Sequence, residues 1–294
     1  MDVTDRSPLP RRPPPAAQRA PLPREVAGLA PLEPGFTEVF DTGLREIGLE
    51  LSRAQRDAVE AHVQLLLAWN KHINLSGLRT ATEIARGHVL DALVAVRALR
   101  ALAGARKDVT LLDIGSGGGF PGLPLAIVLP ARRAALVDSI AKKAAFLEAA
   151  AAVVSDTLRA SPAPQPEIVA LAERAEDLAD EPDQREGWDL VVARAVGTVA
   201  EVAELGLPLA RRGGYVVTWK RASDAAARAA LNAEIADARS IVQAAGGAGV
   251  RVVSLAAAPK VGLEGDCLVV IRKVRPTPDR YPRPPGERRR RTLP

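Results

Sequence analysis

The chain has 294 residues, 47% of them apolar and 26% charged, with a net charge of +5, enough for one good-sized domain plus smaller additions. Its one cysteine, Cys267, excludes an internal disulfide and a cysteine-based metal cluster, and His62, His72 and His88 are too scattered for a zinc site. No stretch reaches the roughly 18 apolar residues of a membrane span, so a soluble, cytoplasmic, metal-free and monomeric protein is expected.

Residues 1–35 are dominated by proline, arginine and alanine, with too few large apolar groups to offset ordering, and are predicted to be disordered. A small helical N-terminal unit follows over 45–103. Ser52 and Gln55 have capping-box spacing ahead of apolar residues at helical intervals from Ala54 to Trp69, and Thr80 with Glu83 opens a second helix.

From Val109 the pattern alternates between strand and helix. VTLLDIG, AALVDSI, EIVALAER, WDLVVARAV and GGYVVTWK are apolar on both faces, as in a parallel sheet covered on both sides. RVVSLAAAP and GDCLVVIRKV have no long helix between them, which predicts an antiparallel closing hairpin and seven strands over 104–275. Residues 276–294 form a basic tail. Between Ile271 and Pro294, nine basic residues stand against Asp279 and Glu287, a footprint suited to a polyanion such as RNA and equally to a solvated end.

The segment LLDIGSGGGFPGLPLAI carries the chemistry. Gly117 to Gly122 has the spacing G-x-G-x-x-G, and Asp138 ends the next strand, where a carboxylate accepts the ribose hydroxyls of an adenosine-containing ligand. NAD, FAD and S-adenosylmethionine all satisfy these two features. Asp113, inside the first strand, suits a ligand bearing a sulfonium and an ammonium, and it can also cap the loop's own amides. Pro121 and Pro124 leave little regular helix to face a pyrophosphate. Together with the closing hairpin, these favour S-adenosylmethionine. Glu176 after the third strand and Arg194 after the fourth lie at the ligand-binding edge of such a sheet, although a first-turn acid and a surface ion pair account for them equally well.

Several stretches together resemble the 16S ribosomal RNA guanine-N-7 methyltransferases, also known as glucose-inhibited division protein B. They are WNKHINLSGLR, GHVLDAL, DIGSGGGFPGLPLAI, LVDSIAKKAAFL, RAEDL, ARAV and the ending that starts at Tyr281-Pro282-Arg283. The resemblance implies a Rossmann-like class I S-adenosylmethionine-dependent methyltransferase, α/β in class. It implies that Gly115 and Phe120 contact the donor, that Ala175 and Glu176 lie near its adenine, and that Arg194 sits at the methyl-transfer end. It also implies the substrate, the guanine at position 527 of 16S rRNA, whether free or in the 30S subunit. Ser76 stands where threonine is common and Val196 where many members carry phenylalanine.

The chemistry agrees with what the chain lacks. Cys267 lies in an expected buried strand, which removes the nucleophile that pyrimidine C-5 methylation requires, and no Asn-Pro-Pro-Tyr motif follows the fourth strand. Guanine N-7 presents an in-plane lone pair and needs no general base. Arg194 is then an orienting clamp for substrate rather than an acid or base. Candidate RNA contacts are Asn74, Lys142, Lys143, Lys220 and the run Arg288, Arg289, Arg290 and Arg291, with Arg211 and Arg212 extending the basic surface. For His88 a satisfied, partly buried histidine is the favoured reading.

Overall fold

The computed structural model describes residues 21–288, so residues 1–20 of the expected disordered extension, and Arg289, Arg290 and Arg291, lie outside the described residues. Before the sheet come α1 (Pro34–Ile47), α2 (Arg53–Asn70), α3 (Ala81–Ile84), a π-helical turn (Ala85–Leu90), α4 (Asp91–Leu93) and α5 (Val96–Ala103). Both capping boxes are formed, Ser52 with Gln55 and Thr80 with Glu83.

Seven strands follow: β1 (Val109–Ile114), β2 (Ala131–Val137), β3 (Glu167–Leu171), β4 (Trp188–Ala193), β5 (Ala210–Arg221), β6 (Gly247–Ser254) and β7 (Asp266–Lys273). They form one sheet in the order β3-β2-β1-β4-β5-β7-β6. β1 to β5 pair in parallel, and β7 runs antiparallel to both β5 and β6, the closing hairpin expected of the methyltransferase variant. β1 and β4, at the middle, are buried along their whole length.

Because side chains alternate across a strand, neighbouring residues of β1 feed two different cores. Leu111 packs with α6 (Gly122–Val128), α7 (Ala141–Leu158) and the N-terminal helices. Leu112 and Ile114 pack on the opposite face with α8 (Ala175–Asp180), α9 (Val199–Gly206) and α10 (Ala225–Ala244). The N-terminal helices are thus one layer of the domain's own core. Phe36 and Phe40 of α1 share it with Val217 of β5 and Val270 of β7.

Two composition-based expectations are corrected. The segment from residue 21 to residue 35 is ordered against the body: Leu22, Val26, Leu29 and Leu32 pack on the core, and α1 begins at Pro34. Scarce apolar residues still suffice there because each one lands on a surface already built by α1 and α2. The basic ending, over its described part, is a strap rather than a solvated tail, and it closes with α11 (Pro285–Arg288). Arg185 donates to the carbonyl oxygens of Thr277, Pro278 and Tyr281, each at 3.2 Å. Tyr281 is buried, and Arg283 donates through two nitrogens to Glu204, at 2.8 Å each. Paired in this way, the charges of the strap fasten it to the body.

Candidate active site

Asp113 organises the glycine loop. One carboxylate oxygen, Oδ2, accepts from the Ser116 hydroxyl at 2.5 Å and from the Gly122 N–H at 2.9 Å, tying the two ends of the loop together. A Cβ on Gly122 would lie 2.7 Å from that oxygen, so only glycine allows this closure. The other oxygen, Oδ1, is buried without a partner. Burial pushes the Asp113 carboxyl up to about 7, against the pull of its two hydrogen bonds and the Arg194 charge.

Gly117 has φ +56°, and a Cβ there would find nothing nearer than the Gly115 carbonyl oxygen, 3.8 Å away. That open side of the loop adjoins Asp138, whose Oδ2 accepts from the Gly117 N–H at 3.1 Å. Asp138 Oδ1 accepts from Ile140 N–H at 2.9 Å, and Lys143 stands 3.8 Å from the carboxylate. Gly115 donates its N–H to Val137 and packs closely on Val196.

Phe120 is 5% exposed. It lies between His62 and His88, with centroid separations of 4.6 and 4.8 Å. His62 hydrogen-bonds the Gly118 carbonyl at 2.8 Å and is fully buried, and burial drives its pKa down to about 4. His88 is likewise lowered to about 4, by burial and then by the Arg194 charge. Its Nδ1 lies 2.9 Å from both Arg194 Nη2 and the Gly87 carbonyl oxygen, and its Nε2 lies 2.7 Å from Ser76 Oγ.

Arg194 therefore has a built socket. Its Nη1 donates to Asp91 and, at 3.3 Å, to the Gly87 carbonyl, and its guanidinium lies 5.8 Å from the Phe120 centroid. The next residue, Ala195, adopts φ +58°, a left-handed conformation that a side chain disfavours by roughly 1–2 kcal/mol. Such strain at the end of β4 turns the chain just where Arg194 leaves the sheet. Beside it opens a cleft lined in part by Leu78, Gly87, Asp91, Trp219 and Lys220.

At the third strand, Ala175 is buried and Glu176 opens α8. The Glu176 carboxylate pairs with Arg288 from the strap. Arg288 is thus engaged within the protein rather than offered to RNA. Lys220 is engaged too, donating to Glu234 at 2.7 Å. Lys142 and Asn74 are exposed, and Lys143 is half-buried beside Asp138. Asn70, not Asn74, shapes the α2–α3 loop, bonding four backbone groups from Leu75 to Leu78.

The structure brings Asp113, Gly117 and Asp138 together around one loop, with Arg194 coupled to Asp113 through its charge. An orphaned buried carboxylate oxygen, an open cradle at Gly117 and acids ending β1 and β2 fit a cationic adenosine ligand. Asp91 and Ser76 were missed as parts of the Arg194 socket. Their signal was present in GHVLDAL and WNKHINLSGLR, but no spacing rule connects residue 91 with residue 194.

Residues 55–248 match the model of the family GidB, rRNA small subunit methyltransferase G. A curated ribosomal RNA small subunit methyltransferase G from Pelotomaculum thermopropionicum is 35% identical over 88% of this chain and 99% of its own length. Relatives of the same name from Roseiflexus sp. and Roseiflexus castenholzii are 39% and 38% identical, over 85% and 81% of this chain and 96% and 92% of theirs. With both the family model and near full-length relatives matched, the chain belongs to the GidB family of rRNA small subunit methyltransferases G.

Proposed function

We propose that the protein methylates N-7 of the guanine at position 527 of 16S rRNA, taking the methyl group from S-adenosylmethionine. The observation that carries this reading is the Arg194 socket, a guanidinium fixed by Asp91, His88 and Gly87 at the strand end next to the glycine loop. Asp113, Gly117, Asp138, Ala175 and Glu176 are the residues that hold the donor. When bound, S-adenosylmethionine supplies an electrophilic methyl group on a sulfonium, and guanine N-7 needs no base to accept it.

Catalysis then rests on orientation, worth up to roughly 7–11 kcal/mol in favourable cases. Arg194 suits that task because its fork of donors is rigid and always charged, and matches the acceptor atoms that guanine and phosphate present. Neutral His88 holds one arm of the fork without adding a like charge. Lys142 and Asn74, both exposed, are left to meet RNA phosphates.

The test is to incubate the purified chain with labelled S-adenosylmethionine and small subunits from cells lacking the activity. Label on N-7 of one guanine, mapped by nuclease digestion and mass spectrometry, is the expected result. Label on another RNA, a protein or a small molecule would keep the donor and replace the substrate.

A further inference from the structure

The described end of the chain returns to the edge of the sheet where the glycine loop lies. Its last anchor is the ion pair between Arg288 and Glu176, whose side chains are only 12% and 15% exposed. Sheltered from solvent, such a pair is far less screened than a surface one. Arg288 also spans two elements. Glu176 opens α8, and at the start of α9 the Glu201 carboxyl is held below its usual range by the Thr198 N–H and, further, by the Arg288 charge. Arg174 stands 4.0 Å from Glu176 on the other side, too far to fix it alone.

We propose that Arg288 is a positioning residue for the donor: by holding Glu176, it makes the C-terminal strap the outer wall of the adenine end. The inference rests on placing the adenine at Ala175 and Glu176. A carboxylate has about four acceptor positions, so one engaged by Arg288 leaves others for an exocyclic amine. Unpaired, Glu176 is free to turn on its own bonds and must be ordered when ligand arrives. Donor affinity and strap docking are therefore coupled, and the coupling is reciprocal: bound donor holds the strap as firmly as the strap improves the site.

The test uses the full chain and S-adenosylhomocysteine as probe. Calorimetry on R288Q should show binding weakened by about tenfold, within the usual range of such couplings, with R288K recovering part of it. In methylation assays the donor KM should rise while kcat is kept. S-adenosylhomocysteine should also slow trypsin cleavage after Arg280 and Arg288 in the wild-type chain. If R288Q melts early, the trypsin protection of the wild-type chain still reads the coupling, since it needs no variant. Unchanged affinity in R288Q, or trypsin cleavage indifferent to the probe, would overturn the coupling while leaving the donor site in place. Absence of binding by the wild-type chain would instead remove the donor-site reading, and this inference with it.

Discussion

Asp91 and Arg194, separated by 103 positions in sequence, form an ion pair that joins the N-terminal helical layer to the end of β4. Both side chains are mostly buried, at 19% and 15% exposure. A guanidinium on a strand end otherwise sweeps a wide arc, and Asp91 removes that freedom before any substrate arrives.

Replacing Asp91 by asparagine keeps the shape and removes the charge. We expect kcat to fall by at least about tenfold, and stability by about 1–2 kcal/mol, the usual effect of weakening a sheltered hydrogen bond to charge. Initial methylation rates and thermal melts measure both. An unchanged kcat would show that Arg194 does not need its socket.

Gly117→Val places a branched side chain in the open space beside Asp138, at a backbone conformation that costs roughly 1–2 kcal/mol for an L-residue. Calorimetry should detect no S-adenosylhomocysteine binding, with the melting temperature only modestly lower. Wild-type affinity in this variant would move the donor away from the loop.

The buried Asp113 makes a prediction about pH. Its folded pKa of about 7 exceeds the ordinary carboxyl value of 3.8, so between those limits the folded state binds more protons than the unfolded one. Stability from this group is present in acid and lost as pH rises through the window, by at most about 1.4 kcal/mol per pH unit. His62 and His88, lowered from 6.5 to about 4, act in the opposite sense: their contribution is full above 6.5 and lost as pH falls towards 4. Asp113→Asn leaves the histidines in place, so they cancel in the comparison. Its melting temperature relative to wild type should climb steadily from acid to neutral pH; a flat difference would mean that Asp113 does not titrate there.

Arg289, Arg290 and Arg291 remain the candidate RNA contacts of the C-terminal end, since Arg288 is paired internally. Changing the three to alanine should make the dependence of RNA affinity on salt shallower, by about 0.7 in log–log slope for each lost contact to single-stranded phosphate. Filter binding over a salt series reads this directly. Equal slopes would assign the RNA contacts elsewhere.

The sheet was legible because its strands are short apolar runs and the helices α2 and α3 announce themselves by capping boxes. The α1 helix was passed over although its signals are present: Pro34 at the start, Phe36, Phe40, Gly43 and Leu44 on one face, and Gly48 in a left-handed cap. Its proximity to a proline-rich stretch masked them. The α10 helix buries only Leu231, Ala238, Ile241 and Val242 along its 20 residues, so its apolar stripe is thin. At the site, Asp113, Gly117 and Asp138 were readable because they lie close to one loop in sequence. The partners of Arg194, Lys220 and Arg288 were not, because each ion pair is made across the fold and charge alone does not name its counter-ion.

The shared core also has a temporal side. Phe36, Phe40 and Leu65 belong to a core that also takes in Val217 and Val270, from the strands β5 and β7 that end at Arg221 and Lys273. Synthesis runs from the amino end, so these helices leave the ribosome on the order of ten seconds before their cover exists. During that interval the nascent chain presents an uncovered apolar layer, and the long alanine-rich stretches yet to come offer it little large apolar surface to stick to wrongly.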